Sequence, residues 1–331
     1  MKDKIQQITE FVTKQLEEIN YNKLPISDYN KRYIKNLKSA LPYYMQIYKA
    51  CILKGLQKTH VSLSELTFVD YGGGSGFLSI LAKQIGFRQV IYIDINPNSV
   101  ETIQILKKEI GVGPDIILHG DSNKFKIWCK EQNCKPQLLI ATDLIEHVYQ
   151  LESFFADLIA INSQMQMLFT TASTPFNPYV KRRLHRIMKE EEIGFGSNPN
   201  YYTLRLQYIQ ENFPFYSKQE AEKIALKTRG LIFSDIHNAI TQNQYPSLND
   251  PFNTCDPRDG NWTERILPIK TYRSIVQSYG FSVLIEKGFY NIQRKNKFFS
   301  FIVKCLNGFI KTSGKIGFIF APFIILTFRK K

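Results

Sequence analysis

The stretch that decides the fold is FVDYGGGSGF, residues 68–77, where an apolar run ends in an acid and a glycine-dense turn. A helix-compatible segment follows at 78–82, and a second apolar run at 89–93 ends in Asp94. Glycine permits positive φ and lets a ligand approach the backbone closely. Such a turn also presents the free N–H groups at the start of a helix. The order strand, turn, helix, strand, acid predicts one half of a nucleotide-binding α/β sheet.

The spacing of the glycines separates two cofactor classes. In the dinucleotide frame G-x-G-x-x-G the third glycine packs the helix on the strand, and the frame that starts at Gly72 places Phe77 there. The frame D-x-G-x-G-x-G fits residues 70–76 completely. This form resembles motif I of the class I S-adenosylmethionine-dependent methyltransferases. In either class Asp94 is placed to accept hydrogen bonds from both ribose hydroxyls.

Beyond the turn, strand and helix patterns alternate along the chain. This rhythm predicts the fold class α/β, with a seven-stranded, Rossmann-like, mostly parallel sheet and helices on both faces. Ligands of such sheets bind beyond the carboxyl ends of the strands. The predicted strands span 66–71, 89–94, 115–119, 137–142, 164–171, 281–290 and 320–328, and the predicted helices include 98–110, 147–162 and 268–279.

The rhythm divides the chain into four predicted units. They are an N-terminal helical extension (1–60), a cofactor-binding core (61–175), a helical and loop insertion after strand five (176–265), and a return to the sheet (266–331). The extension covers an edge of the sheet or forms a partial lid that brings Tyr33, Tyr43 or Tyr44 to the site. The insertion holds a Gly/Asn/Pro loop at 194–200, and such insertions usually shape the substrate pocket. The last unit includes a basic, apolar excursion at 295–313.

Charge and cysteine usage limit the possible partners. The 331 residues carry a net charge of +14, which favours nucleic acid, an anionic membrane surface or an acidic substrate. The basic, apolar stretch 295–317 suggests peripheral contact with an anionic membrane, whereas the apolar run 317–328 is too short to span one. The five cysteines lack metal-type spacing, so we expect no metal site and a reducing compartment. Residues 1–7 have no apolar leader, and the expected location is therefore cytoplasmic, with or without membrane contact.

Further polar side chains follow the later strands. Asp121, after strand three, could accept a hydrogen bond from the exocyclic amine of an adenine. The string DLIEHV at 143–148 resembles the motif after strand four in the small-molecule methyltransferases that include the ubiquinone-biosynthesis O-methyltransferases, as does WTER at 262–265. The resemblance covers residues 66–175 and 260–291.

This resemblance implies S-adenosyl-L-methionine as the cofactor and gives each matching residue a role. The implied contacts are Gly72, Gly74, Gly76, Asp143 and Leu144 for the methionine part, Asp70 for its amino group, Asp94 for the ribose, and Asp121 with Ser122 for the adenine. His147 is the candidate catalytic base, since a neutral imidazole can take a proton near pH 7. Structural alternatives stay open: Asp94 as a helix cap, Asp121 as a turn residue and His147 as a non-catalytic histidine.

The acceptor side carries fewer signals. Arg182 and Arg183 on a basic helix could clamp a phosphate or carboxylate of the substrate. Asn253, Asp256 and Trp262 belong to a polar string that is dense for a loop and could also contact it. The sequence therefore predicts methyl transfer to an oxygen of a small-molecule substrate, which could be lipid-linked or anionic.

Three other functions remain as alternatives. One is an RNA or other nucleic-acid methyltransferase, which is disfavoured because DLIE follows strand four where such enzymes carry Asn/Asp-Pro-Pro-aromatic. The second is a non-catalytic binding protein that keeps the cofactor fold. The third is a nicotinamide dehydrogenase, which Phe77 disfavours.

Overall fold

The computed structural model describes residues 1–57, 61–194, 199–293 and 296–331. Three predicted features extend outside the described residues: the unit boundary after residue 60, the middle of the loop at 194–200, and the first residue of the excursion at 295–313. The strands are β1 (Thr67–Tyr71), β2 (Gln89–Asp94), β3 (Ile116–His119), β4 (Leu138–Thr142), β5 (Gln166–Thr171), β6 (Phe281–Lys287) and β7 (Ile324–Lys330).

These strands form a seven-stranded sheet in the order β3-β2-β1-β4-β5-β7-β6. The first five are parallel, and β7 lies antiparallel between β5 and β6. Strand order reverses between β1 and β4, so the loops at the carboxyl ends of these two strands diverge and leave a crevice. The sheet confirms the predicted fold class and puts the glycine turn after β1 at that crevice.

Fourteen helices are found in the described ranges. They are α1 (Lys2–Glu18), α2 (Asp28–Lys38), α3 (Leu41–Leu56), α4 (Phe77–Ile85), α5 (Pro97–Ile110), α6 (Ser122–Glu131), α7 (Leu151–Ile161), α8 (Pro178–Ile193), α9 (Tyr201–Asn212), α10 (Lys218–Lys227), α11 (Phe233–Thr241), α12 (Ile269–Gln277), α13 (Lys297–Thr312) and α14 (Gly317–Phe320).

Two apolar cores cover the two faces of the sheet. Helices α1 to α5 contribute to one core, which contains Phe68 and Ile103, and α6, α7 and α12 contribute to the other, which contains Phe155 and Phe169. Each such side chain stabilises the fold by roughly 1.5–3 kcal/mol when fully buried. The two cores hold the carboxyl ends of β1 to β4 in fixed register.

The N-terminal helices cover a face of the sheet and not its edge. Helix α3 packs so closely on β4 that a Cβ on Gly55 would lie 2.7 Å from Leu138 Cδ1. The expectation that these helices cover an edge was therefore wrong, because the apolar stripe of α3 faces the strands directly.

The helix predicted at 147–162 begins later than expected. Helix α7 starts at Leu151. His147 instead closes a tight turn, in which its N–H donates to the carbonyl oxygen of Leu144 at 2.8 Å. Residues 147–150 are consequently free to line the crevice with their side chains.

The insertion has a small core of its own. Helices α9, α10 and α11 bury Ile209, Phe213 and Ile236 against one another. A buried ion pair joins Glu192 of α8 to Arg205 of α9 at 2.5 Å, and such a pair depends on both partners because either charge alone would be buried without compensation. The insertion is thus a packed body beside the sheet.

The last part of the chain differs from its prediction at the bounds of both strands, and the strand predicted at 281–290 ends at Lys287. The strand predicted at 320–328 runs over 324–330, because Pro322 cannot donate to the ladder and residues 317–320 form the short helix α14. Helix α13 exposes phenylalanines, with Phe298 66% accessible. Across the described ranges, no helix combines the length and the apolar character needed to cross a membrane.

Candidate active site

The glycine turn after β1 adopts a backbone that other residues rarely reach. Gly72 and Gly74 have φ of +66° and +52°. A Cβ on Gly72 would lie 1.9 Å from Leu144 Cδ1, so this position has neither the conformation nor the space for a side chain. The turn therefore leaves its backbone open toward the crevice and brings Leu144, from the loop after β4, against it.

Asp94 fixes the same turn from the end of β2. Its Oδ2 accepts the Gly74 N–H at 2.8 Å and its Oδ1 accepts the Asn96 N–H at 2.8 Å. Burial raises the pKa of the Asp94 carboxyl, while these two hydrogen bonds lower it. The carboxylate keeps lone pairs toward the crevice, which suits hydrogen bonds from ribose hydroxyls.

Asp70 lies beneath the turn and binds the protein itself. The carboxylate accepts from Ser79 N at 2.9 Å and Ser79 Oγ at 2.7 Å, which ties β1 to helix α4. Burial raises the pKa of Asp70 to about 7, against the lowering effect of these hydrogen bonds. The predicted contact with the amino group of the cofactor stays a prediction, and the structure gives Asp70 a framework role.

Asp121 and Ser122 follow β3 on the far side of the crevice. Asp121 caps helix α6, because its Oδ1 accepts the Lys124 N–H at 2.9 Å. The Ser122 hydroxyl donates to Asp157 of α7 at 2.8 Å. Both residues line the cavity described below, so the cap and the predicted adenine contact are compatible for Asp121.

His147 is held in one tautomer at the other end of the crevice. Its Nδ1 lies 2.7 Å from the carbonyl oxygen of Trp262, and since a carbonyl only accepts, Nδ1 carries the proton. The Nε2 atom of the neutral ring is then unprotonated and able to accept a proton. This arrangement suits the predicted general base.

Carboxyl groups surround that histidine. Asp143 has φ of +50°, and its N–H donates to Thr170 O at 3.0 Å. Desolvation by its neighbours raises the pKa of the Asp143 carboxyl to about 6, with Glu264 raising it further and His147 lowering it, although the residue keeps an exposed surface. Glu146 is buried, with one carboxyl oxygen unpartnered among the described residues, and burial raises its pKa well above the usual value. Burial thus favours the protonated form of Glu146.

These residues surround one cavity of about 660 Å³ at the carboxyl ends of the strands. Its walls include the predicted residues Gly72, Asp94, Asp121, Ser122, Leu144 and His147. A ligand of several hundred cubic ångströms is a normal occupant of such a volume. Four other predicted cofactor residues do not line the cavity and lie next to its wall: Gly74, Gly76, Asp70 and Asp143.

The five predicted acceptor residues do not line this cavity. Arg182 and Arg183 are exposed on α8, because the apolar side of that helix, which carries Leu184, packs on Ile266. Asn253 bonds the backbone of Ile266, at 2.9 Å in each direction.

Asp256 and Trp262 likewise serve the loop itself. Asp256 pairs with Arg258 at 2.5 Å. Trp262 is buried under Arg265 and meets His147 through its backbone, with its carbonyl on Nδ1 and its N–H donating to the His147 carbonyl at 3.3 Å. Their predicted contact with the acceptor stays untested, and their side chains support the loop.

Other residues of the same loop do reach the cavity. Asp259, Gly260 and Asn261 line it, as does Tyr149. A Cβ on Gly260, whose φ is +80°, would lie 2.6 Å from Tyr149 Cγ, so the loop lies directly on this ring. The Asp-Gly-Asn turn at 259–261 was visible in the sequence, but nothing there indicated which side of the loop faces inward.

Comparisons with known proteins point to methyltransferases. No family model matches the chain. Curated relatives include the ribosomal protein L11 methyltransferases of Hamiltonella defensa, 28% identical over 99 residues (30% of each chain), and of Ralstonia nicotianae, 40% identical over 63 residues (19% of this chain and 21% of the relative). The chain thus spans about a third or less of the length of these relatives.

Solved structures show the same kind of neighbour. The ribosomal protein L11 methylase of Lactobacillus delbrueckii is 23% identical, with 45% of this chain and 69% of that chain covered and a TM-score of 0.30. The magnesium protoporphyrin IX methyltransferase of Synechocystis is 13% identical, with 90% and 87% covered and a TM-score of 0.42.

The fold, the glycine turn and these relatives define a class. The chain has the architecture of the class I S-adenosylmethionine-dependent methyltransferases, and S-adenosyl-L-methionine is the cofactor of that class. The predicted class and cofactor are confirmed at this level. The finer resemblance to the ubiquinone-biosynthesis O-methyltransferases is not, since the curated relatives are named for ribosomal protein L11.

The same relatives correct the predicted partners. A small-molecule or lipid-linked substrate was expected, and the names of the relatives give a protein as the substrate. That prediction was wrong because the net charge and the basic tail report attraction to anions in general, and do not identify an acceptor. None of the relatives named here points to contact with a membrane.

Proposed function

We propose that this protein transfers a methyl group from S-adenosylmethionine to a nucleophile on a polypeptide. The observation that carries the proposal is the single cavity where the Gly72 turn, Asp94 and Asp121 meet His147. The protein-directed relatives support a polypeptide acceptor over a small molecule.

The residues present fit the cofactor. Asp94 would receive the ribose hydroxyls, Asp121 the adenine amine, and the open backbone at Gly72, with Gly74 beside the cavity wall, the methionine part. Bound S-adenosylmethionine supplies an electrophilic methyl group on a sulfonium. The protein therefore needs mainly to position the two reactants, which is worth roughly 7–11 kcal/mol in well-oriented systems.

His147 adds proton transfer to that positioning. The Trp262 carbonyl holds Nδ1–H, and Nε2 takes the proton that the acceptor nucleophile loses as it is methylated. Asp143 interacts electrostatically with His147, so its carboxylate would stabilise the imidazolium that forms. A general base of this kind typically contributes about 10²–10⁴ in rate.

The insertion and the loop after it would shape the acceptor side. The Tyr149 hydroxyl donates to Asp235 of α11 at 2.5 Å and accepts the Ile232 N–H at 3.2 Å. The loop at 259–261 lies on the other face of this ring. Tyr149 thus couples the insertion to the cavity wall, and we assign the insertion to the acceptor side.

The test is methyl transfer to separated acceptor pools. Purified protein is incubated with methyl-tritiated S-adenosylmethionine and with ribosomal proteins, ribosomal RNA or total lipid in parallel. We expect label in the ribosomal proteins that protease releases and ribonuclease does not. Label confined to RNA or lipid would contradict a polypeptide acceptor, and His147→Ala serves as the control for enzyme-dependent transfer.

A further inference from the structure

Tyr33 of helix α2 places its hydroxyl over the glycine turn. A Cβ on Gly74 would lie 3.1 Å from Tyr33 Oη, so the side of this glycine that has no side chain faces the Tyr33 hydroxyl. The Gly74 N–H is bound to Asp94 at 2.8 Å and its carbonyl accepts the Tyr92 hydroxyl at 2.7 Å, which fixes the turn beneath. Within the described part of the chain, Tyr33 Oη has no hydrogen-bond partner, and the residue is 39% accessible. The hydroxyl is therefore available to a ligand.

The groups that face this hydroxyl are acids and other phenols. Burial raises the pKa of Tyr33, and Asp143, Tyr29, Tyr44 and Asp94 raise it further. Tyr33 is consequently a neutral hydroxyl at physiological pH, able to donate one hydrogen bond and to accept others. It lies against Gly74, within electrostatic range of Asp94 at the end of β2 and of Asp143 after β4.

Tyr43 is a useful contrast on the next helix. Its hydroxyl donates to the carbonyl of Phe289 at 2.7 Å, and its ring meets the Phe289 ring edge-on. The sequence predicts Tyr33, Tyr43 and Tyr44 equally as lid residues. In the structure Tyr33 is the one of the three that contacts the glycine turn at Gly74.

We propose that the Tyr33 hydroxyl hydrogen bonds to the amino-acid end of bound S-adenosylmethionine, so that α2 forms the roof of the donor site; this rests on the proposed function. The glycine turn is the part of the site that faces the methionine part. That end of the cofactor carries an ammonium and a carboxylate, and one hydroxyl can accept from the first or donate to the second. Asp143, whose charge acts on Tyr33, would balance the ammonium charge of that end.

The experiment compares two ligands that differ only in the proposed contact. S-adenosylhomocysteine keeps the amino-acid end, whereas 5′-methylthioadenosine keeps the adenosine and the thioether and lacks that end. Both are titrated by calorimetry into wild type, Tyr33→Phe and the matched control Tyr29→Phe. Tyr29 stacks on Tyr33, with ring centroids 6.5 Å apart, and its loss tests the phenol cluster without the contact over Gly74.

The expected result is a selective loss. Tyr33→Phe should weaken S-adenosylhomocysteine about 10- to 100-fold, the usual consequence of losing a hydrogen bond to a charged group. It should leave 5′-methylthioadenosine within about twofold, and Tyr29→Phe should leave both ligands within about twofold.

Two results would overturn the contact while leaving the proposed function intact. One is unchanged S-adenosylhomocysteine affinity in Tyr33→Phe, and the other is an equal loss for both ligands, which would place Tyr33 at the adenosine. A wild-type protein that binds neither ligand would instead contradict the proposed function itself.

Discussion

The two ends of the cavity are built in different ways. The donor end is made of backbone and strand-end acids: the Gly72–Gly76 turn, Asp94 and Asp121 all follow consecutive strands and are fixed by bonds within about twenty residues. The acceptor end depends on contacts between distant parts of the chain, such as His147 Nδ1 on the Trp262 carbonyl, 115 residues away. The donor end should therefore tolerate changes in the insertion, whereas the acceptor end should not.

The largest effect should come from the donor turn. Gly72→Ala places a Cβ 1.9 Å from Leu144 Cδ1 in a backbone with φ of +66°, so Leu144 or the turn must shift and S-adenosylhomocysteine affinity should fall about 10³-fold. Gly111→Ala is the matched control, since φ there is +74° with nothing within 4 Å. Calorimetry measures the S-adenosylhomocysteine affinity of both variants. Equal affinities would contradict the claim that the geometry of this turn forms the donor site.

At the acceptor end, His147→Ala should slow methyl transfer by about 10²–10³ at neutral pH. S-adenosylhomocysteine affinity should stay within about twofold, because the ring faces the acceptor and not the donor turn. His185→Ala is the control, as that ring bonds Asp250 away from the cavity. Full activity in His147→Ala would remove its role as the base.

A change at Asp94 should have a smaller effect on the donor end than the change at Gly72. Asp94→Ala removes the acceptor of the Gly74 N–H and the predicted ribose contact, and should weaken S-adenosylhomocysteine about 10- to 100-fold. Asp115→Ala, which removes an acid paired with Lys83 on the surface, should leave the affinity unchanged. If the two variants bind alike, Asp94 acts only as a cap of the following loop.

Asp70 gives a pH-dependent stability. The folded pKa is about 7 and the ordinary value 3.8, so the folded protein binds more protons and stability falls as pH rises between these values. Between pH 5 and 7 the Asp70 contribution should decline by about 2 kcal/mol. Urea unfolding at both pH values should show a smaller decline for Asp70→Asn than for wild type, and an identical decline in the two proteins would contradict the buried carboxyl.

The smallest effect is expected for Arg182→Ala. The guanidinium is exposed on α8 and outside the cavity, so methyl transfer and cofactor affinity should both stay within about twofold. A tenfold rise in the KM for the polypeptide acceptor would instead restore the predicted anion clamp and extend the acceptor end onto α8.

This contrast explains what the sequence could predict. The glycine turn, its acids and the sheet follow from local pattern, because strand, turn and helix signals lie within a few residues of one another. His147 could be predicted as a site residue from its motif. Its hydrogen bond to the Trp262 carbonyl could not, since no local pattern pairs residue 147 with residue 262. Arg182 was predicted as a substrate contact because a charge cluster in the sequence does not reveal whether it faces the site or the solvent. Only packing decides which side of α8 faces solvent.

The central claim is that the cavity after β1 to β4 binds S-adenosylmethionine and not a dinucleotide. Calorimetric titration of the wild-type protein with S-adenosylhomocysteine and with NAD tests it most directly. We predict micromolar binding of S-adenosylhomocysteine with no measurable heat from NAD, because Phe77 replaces the third dinucleotide glycine. Tight NAD binding, or no binding of S-adenosylhomocysteine, would contradict the account.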